Sequence, residues 1–101
     1  MIIISRTEFL TRTQIDSGTL ELWIAEEWLI PAQTDTEIAF SEADLARARL
    51  IRDLTEDLGV NAEGVGIVLH LLDQVHGLRR TLTEVLQSVR EQSSKRSPNP
   101  P

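Results

Sequence analysis

The chain contains no cysteine, so a disulfide, a thiolate nucleophile and a thiolate metal site are all excluded. No run approaches the roughly 18 apolar residues of a membrane span. Met1-Ile2-Ile3-Ile4 is too short, and lacks the basic start, to be a signal peptide. These absences predict a cytoplasmic protein. Aromatic residues are sparse, at 4% of 101 residues, which together with 41% apolar content predicts one small domain with a modest core. The most telling absence is of positive charge. No Lys, Arg or His lies between Arg12 and Arg47, whereas that window holds Asp16, Glu21, Glu26, Glu27, Asp35, Glu37, Glu42 and Asp44. The net charge of −6 is therefore concentrated in the first half of the chain.

What is present begins with Ile2–Ile4, a short β-branched run expected to form an edge strand. Ser5 then opens a helix over Thr7 to about Thr13, with Glu8 placed for a capping box and Ile4 placed to staple onto Phe9. A second helix starts at Asp16 or Ser17, either of which can cap it, and runs about three turns until Leu29-Ile30-Pro31 stops it. At about 100° per residue, Leu20, Ile24 and Trp28 share one face with Trp23 on its flank. The opposite face carries Glu21, Leu22, Ala25 and Glu26. The pair reads as a helix-turn-helix with an acidic helix in the recognition position. AQTDTEIAF after Pro31 reads as a loop and a strand that pairs with Ile2–Ile4 as a small wing, with Ile38 and Phe40 on one side. Ser41 and Asp44 repeat the capping box, with Phe40 stapling to Leu45. The third helix should run to about Leu58, bury Leu50, Ile51, Leu54 and Leu58, and stop at Gly59.

Asn61 caps a fourth helix, in which Val68, Leu71, Val75, Leu78, Leu82, Val85 and Val89 recur at alternating steps of three and four, a heptad seam widened by Leu69, Leu72 and Leu86. About 30 helical residues would span about 45 Å. The rest of the domain should cover that seam as far as Leu78, but not to Val89, so Leu78, Leu82, Val85 and Val89 are the expected dimerisation residues. The expected organisation is a core over 1–60, a long helix over 61–92 and a disordered tail over 93–101.

No catalytic constellation is visible, and neither a cofactor nor a metal is implied. His70 and His76 stand about 240° apart around the helix and do not face one ion. Gly64 and Gly66 lie at a helix start, without the strand and spacing of a phosphate loop. They fit close helix contact or a loosened first turn better. The helix-turn-helix suggests nucleic acid, yet duplex binding draws on Lys and Arg for phosphate neutralisation. Arg6, Arg12, Arg47 and Arg49 could touch a backbone, but a carboxylate-lined recognition helix and wing cannot easily read bases.

The order helix-turn-helix, Leu-Ile-Pro, wing, capped third helix and long fourth helix resembles the MerR-like winged-helix class. WIAEEWLIP is similar to that class's aromatic pair, glutamate and Gly-Leu-Ile-Pro. Where those regulators carry an arginine and an aromatic pair, this chain reads Leu22-Trp23-Ile24; the glycine is Trp28, and the wing's arginines are missing. These departures resemble the chaperone-modulator CbpM family, MerR-type folds that have lost the DNA-reading residues. The similarity lies in Thr7-Glu8-Phe9, the acidic second helix, Phe40-Ser41-Glu42 and GVGIVLHLLDQVHGL from Gly64 to Leu78, and extends to about Leu86.

The resemblance implies a non-enzymatic protein that binds the J-domain of a CbpA-type, DnaJ-like co-chaperone and blocks its cooperation with a DnaK-type chaperone. In that family's terms the partner presents a basic helix, which suits an acidic surface. The reading is a mainly α, MerR-like winged helix-turn-helix of four helices with a small β wing and a long C-terminal helix, acting as a homodimer. The expected partner surface is Glu21, Leu22, Ala25, Glu26, Glu27, Asp35 and Glu37, with Leu22 as its apolar anchor. Neither specific nucleic-acid binding nor membrane attachment is expected. A MerR-like DNA-binding regulator is the alternative, and a toxin-antitoxin or other partner-binding module a third.

Overall fold

Among the described residues, each of the four α-helices begins beside a polar side chain that accepts an otherwise unpaired backbone N–H. In the computed structural model, which describes residues 3–95, α1 spans Arg6–Thr13 and α2 Ser17–Ala25. The β1 strand, Ala32–Gln33, pairs antiparallel with β2, Ile38–Ala39. Then follow α3, Glu42–Arg52, a π-helical turn over Asp53–Asp57, and α4, Ala62–Lys95. Ser5 Oγ accepts from Glu8 N at 3.2 Å and Asn61 Oδ1 from Gly64 N at 2.8 Å. Asp16 is the cap of α2, accepting from Thr19 N at 2.6 Å, which decides between it and Ser17. Ser41 and Asp44 form the complete reciprocal capping box of α3.

The second helix ends earlier than the hydrophobic pattern predicts. Glu26 is its C-cap, and Glu27 turns left-handed at φ 60°. Trp28 N donates to Trp23 O at 2.9 Å and Glu27 N to Ile24 O at 3.0 Å, the bond pair of a Schellman motif. Trp28 therefore leaves the helix and is buried beside the chain's turn rather than on the Leu20–Ile24 stripe. The next residue, Leu29, is buried and Ile30 is exposed. A left-handed glutamate is strained where glycine is not. Glu27→Gly should relieve about 1–2 kcal/mol of left-handed strain against about 0.4–1 kcal/mol of added unfolded-state entropy, and is expected to raise Tm by a few degrees in a thermal melt. A fall in Tm would show that the side chain outweighs the backbone.

The wing differs from the expected pairing. The hairpin partner of Ile38–Ala39 is Ala32–Gln33, which the sequence presents as loop. Ile4 instead bridges Phe40, with both backbone bonds at 2.9 Å, so the N-terminal segment flanks the wing at its root. Ile2 lies outside the described residues. This bridge sets Phe40 against Phe9, their rings stacked with centroids 4.1 Å apart and planes 12° from parallel. Around them Ile4, Leu20, Leu29, Leu45, Ile51 and Val65 are fully buried. Thr13, also buried, donates its hydroxyl to Phe9 O at 2.7 Å and so brings no unpaired polar group inside.

The end of the third helix needs another correction. Leu45, Ala48, Ile51 and Leu54 are buried, but Leu50 is only half-buried and Leu58 is 70% exposed. Thr55 Oγ1 donates to Ile51 O at 2.9 Å and Arg52 O at 3.2 Å, in the turn where the ladder widens to a π pattern. The added residue rotates Leu58 off the buried stripe. Gly59, at φ 65°, then turns the chain out of the helix. Close approach explains Gly64, where a Cβ would meet Val60 Cγ1 at 2.6 Å.

The chain divides into two units, Met1–Gly66 and Ile67–Pro101, so the first turn of α4 belongs with the first unit and the boundary falls inside the helix, not at its cap. The α4 helix is 34 residues long, about 51 Å. It continues through Lys95, past the expected end at 92 and into the stretch read as tail; residues 96–101 lie outside the described residues.

Candidate partner-binding surface

The outer side of α2 is where the acidic window becomes a surface. The helix buries Leu20 and Trp23 and half-buries Ile24, which leaves Glu21, Leu22, Ala25 and Glu26 facing outward. Leu22 is 55% exposed. The left-handed turn presents Glu27, also exposed, at the end of that face. Asp35 and Glu37 stand at the tip of the wing. Thr34 shapes that tip: its hydroxyl accepts from Glu37 N at 3.1 Å and donates to Glu37 O at 2.7 Å, while Thr34 N donates to the same carbonyl at 2.8 Å. The Asp16 carboxyl is held below its ordinary pKa by the Thr19 N–H, reinforced by the Thr19 side chain, so it carries charge at the N-terminus of α2.

Several arginines of this part of the chain are engaged within the fold. Arg6 meets Glu21 with Nη1 2.9 Å from Oε1 and donates through Nη2 to Ser17 Oγ at 2.6 Å. Arg12 lies 3.6 Å from the Glu42 carboxylate. Arg47 Nε donates to Trp28 O, fastening α3 to the turn after α2. Arg52 Nη1 donates to Thr13 O at 2.6 Å, satisfying a carbonyl at the end of α1, and its Nη2 is 3.3 Å from Glu56. Three of the four arginines that sequence reasoning offered to a phosphate backbone thus have partners inside the chain. The Arg6 pairing was invisible in the sequence, because it joins residues 15 positions apart across the helix-turn-helix.

In the second unit, Leu78, Leu82, Val85 and Val89 are all exposed along one side of α4, and Leu82 is 58% exposed. Exposure of the seam already begins at Leu71, one heptad before the expected limit at Leu78, although Leu69 is buried and Leu72 half-buried. His70 pairs with Gln74 across one turn at 3.3 Å rather than with His76. Among the described residues no group of three or more His, Asp or Glu side chains is placed to hold a metal, and no helix is long and apolar enough to cross a membrane.

One residue that sequence reasoning passed over stands out. Ile30, read only as part of a helix stop, is 75% exposed between buried Leu29 and half-buried Pro31. No periodicity could have placed it, since the phase after the helix is set by the turn at Glu27.

The family model described as MerR HTH family regulatory protein matches residues 4–87, which takes in both helices of the helix-turn-helix, the wing, α3 and most of α4. No curated protein and no solved structure matches the chain.

Proposed function

The chain belongs to the MerR HTH family of regulatory proteins, and we propose that it is a chaperone modulator of the CbpM type. In this reading it is a non-catalytic adaptor that binds the J-domain of a DnaJ-like co-chaperone and blocks its cooperation with a DnaK-type chaperone. The observation that carries the proposal is the recognition helix itself. In the position where a DNA-reading member needs cations, it presents Glu21, Glu26 and Glu27, and Arg6, which reaches this face, is paired with Glu21. Phosphate would be repelled by that surface, whereas a basic helix would be drawn to it. The acidic wing tip at Asp35 and Glu37 extends the same sign of charge. A dimer through Leu78, Leu82, Val85 and Val89 is part of the proposal, and would present two copies of the acidic face.

Titration of a cognate J-domain against the full chain tests this directly. Because Glu21 is already paired within the fold, the informative variant is Glu26→Lys/Glu37→Lys, which reverses two exposed carboxylates. Each exposed pair contributes about 0.2–1 kcal/mol, and reversal replaces attraction with repulsion. Affinity is expected to fall about tenfold at low salt, with the loss shrinking as salt rises. A parallel gel-shift assay at low salt, using the protein's own promoter region, is expected to show no sequence-dependent shift. Submicromolar, sequence-dependent DNA binding would instead favour the regulator reading.

A further inference from the structure

We infer that the groove between the end of α2 and the wing is the apolar anchor site for a basic amphipathic helix of a protein partner, an inference that rests on the protein-binding reading above. The groove has a volume of about 360 Å³ and is lined by Ile24, Leu29, Ile30, Pro31 and Ile38, with Glu27 also on its wall. Ile30 simultaneously lines a second hollow of about 280 Å³, with Ile3, Ala39 and Phe40. A single exposed isoleucine on a protein surface is ordinary. Here Ile30 is shared by two hollows, with exposed Ile3 lining one and half-buried Ile24 and Ile38 the other, so one exposed apolar side chain links two mainly apolar hollows.

The charges around it select the occupant. Glu27 lines the groove, Glu26 precedes it on the chain, and Glu37 adjoins Ile38. No Lys, Arg or His occurs in the chain between Arg12 and Arg47, and the Arg47 guanidinium is turned to Trp28 O. An occupant must therefore join apolar side chains to positive charge. Strand addition is a poor fit, because β1 offers an edge of only two residues. An amphipathic helix supplies apolar side chains three or four residues apart, about 5–6 Å between Cβ atoms, with Lys or Arg beside them. Ile30, rather than Leu22, becomes the expected anchor.

The test uses the full chain and two probes: a helical peptide with leucines along one face and lysines along the other, and the J-domain of the co-chaperone. Fluorescence anisotropy is expected to show the lysine peptide bound, and its twin with glutamates for lysines at least about tenfold weaker. Ile30→Ser should weaken both probes at least about tenfold, Ile30→Val should retain binding, and Leu22→Ser should change it little. Unchanged Tm among the variants confirms that each folds. Equal binding of both probes by wild type and Ile30→Ser overturns the inference, as does a twin peptide bound as well as the lysine peptide. A wild-type chain that ignores the J-domain yet holds the lysine peptide through Ile30 supports the groove and sinks the J-domain reading. A J-domain bound equally with and without Ile30 overturns the groove and leaves that reading intact.

Discussion

If the chain self-associates through α4 as proposed, Leu82→Glu should leave it a monomer. The seam Leu71, Val75, Leu78, Leu82, Val85, Val89 keeps strict steps of four and three along α4, and all six side chains are exposed. In a two-stranded coil each would be covered by the other copy as a knob in a four-residue hole. Leu82 lies within that run and is 58% exposed. Removing a buried leucine forfeits about 1.5–3 kcal/mol, and a symmetric dimer loses two. The dissociation constant should therefore rise by more than about a hundredfold, before the cost of burying two glutamates is added. Analytical ultracentrifugation of wild type and Leu82→Glu across a concentration series decides the matter. If both sediment as monomers at tens of micromolar, the seam has a different occupant.

The largest expected loss of stability comes from Phe40→Ala. Phe40 is buried, stacks on Phe9, and holds Ile4 through two backbone bonds that the substitution leaves in place. The variant thus isolates the ring from the strand bridge. Truncating a buried phenylalanine costs about 3–5 kcal/mol, a large share of the roughly 5–15 kcal/mol that holds a small domain folded. Tm should drop by about 15 °C or more, and Phe9→Ala should behave similarly. Phe40→Leu, which keeps most of the volume, should recover much of the loss. Urea denaturation with far-UV circular dichroism measures each. A loss under about 1 kcal/mol for Phe40→Ala would mean that the stack is not central to the core.

Much of the architecture was legible because its signals are local. Ser5, Asp16, Ser41 and Asn61 each accept from an N–H three residues ahead, so the start of every helix is written within one turn of chain. The heptad seam of α4 is likewise a property of spacing alone. The acidic window could be read directly, and with it the conflict between a recognition helix and phosphate. Where local signals competed, reading by pattern failed. Trp28 continues the apolar period of Leu20 and Ile24, but the Schellman turn at Glu27 takes it out of the helix. Leu58 continues the period of Leu50, Ile51 and Leu54, but the π turn at Asp53–Asp57 rotates it outward.

By itself, then, the sequence determined where the helices begin to within a residue, the apolar stripe along most of each helix, and that the surface of α2 and the wing is negative. These follow from period, composition and contacts between near neighbours. Tertiary structure alone decided which arginines remain for a partner, since Arg6–Glu21 and Arg52–Thr13 join residues far apart in the chain. It also decided the wing's register, through Ile4 and Phe40, and the exposure of Ile30 between two hollows. The physical reason is the same in each case. A hydrogen bond between distant residues, or a cavity shared by two elements, has an energy that exists only once both sides have been brought together, and no local pattern encodes it.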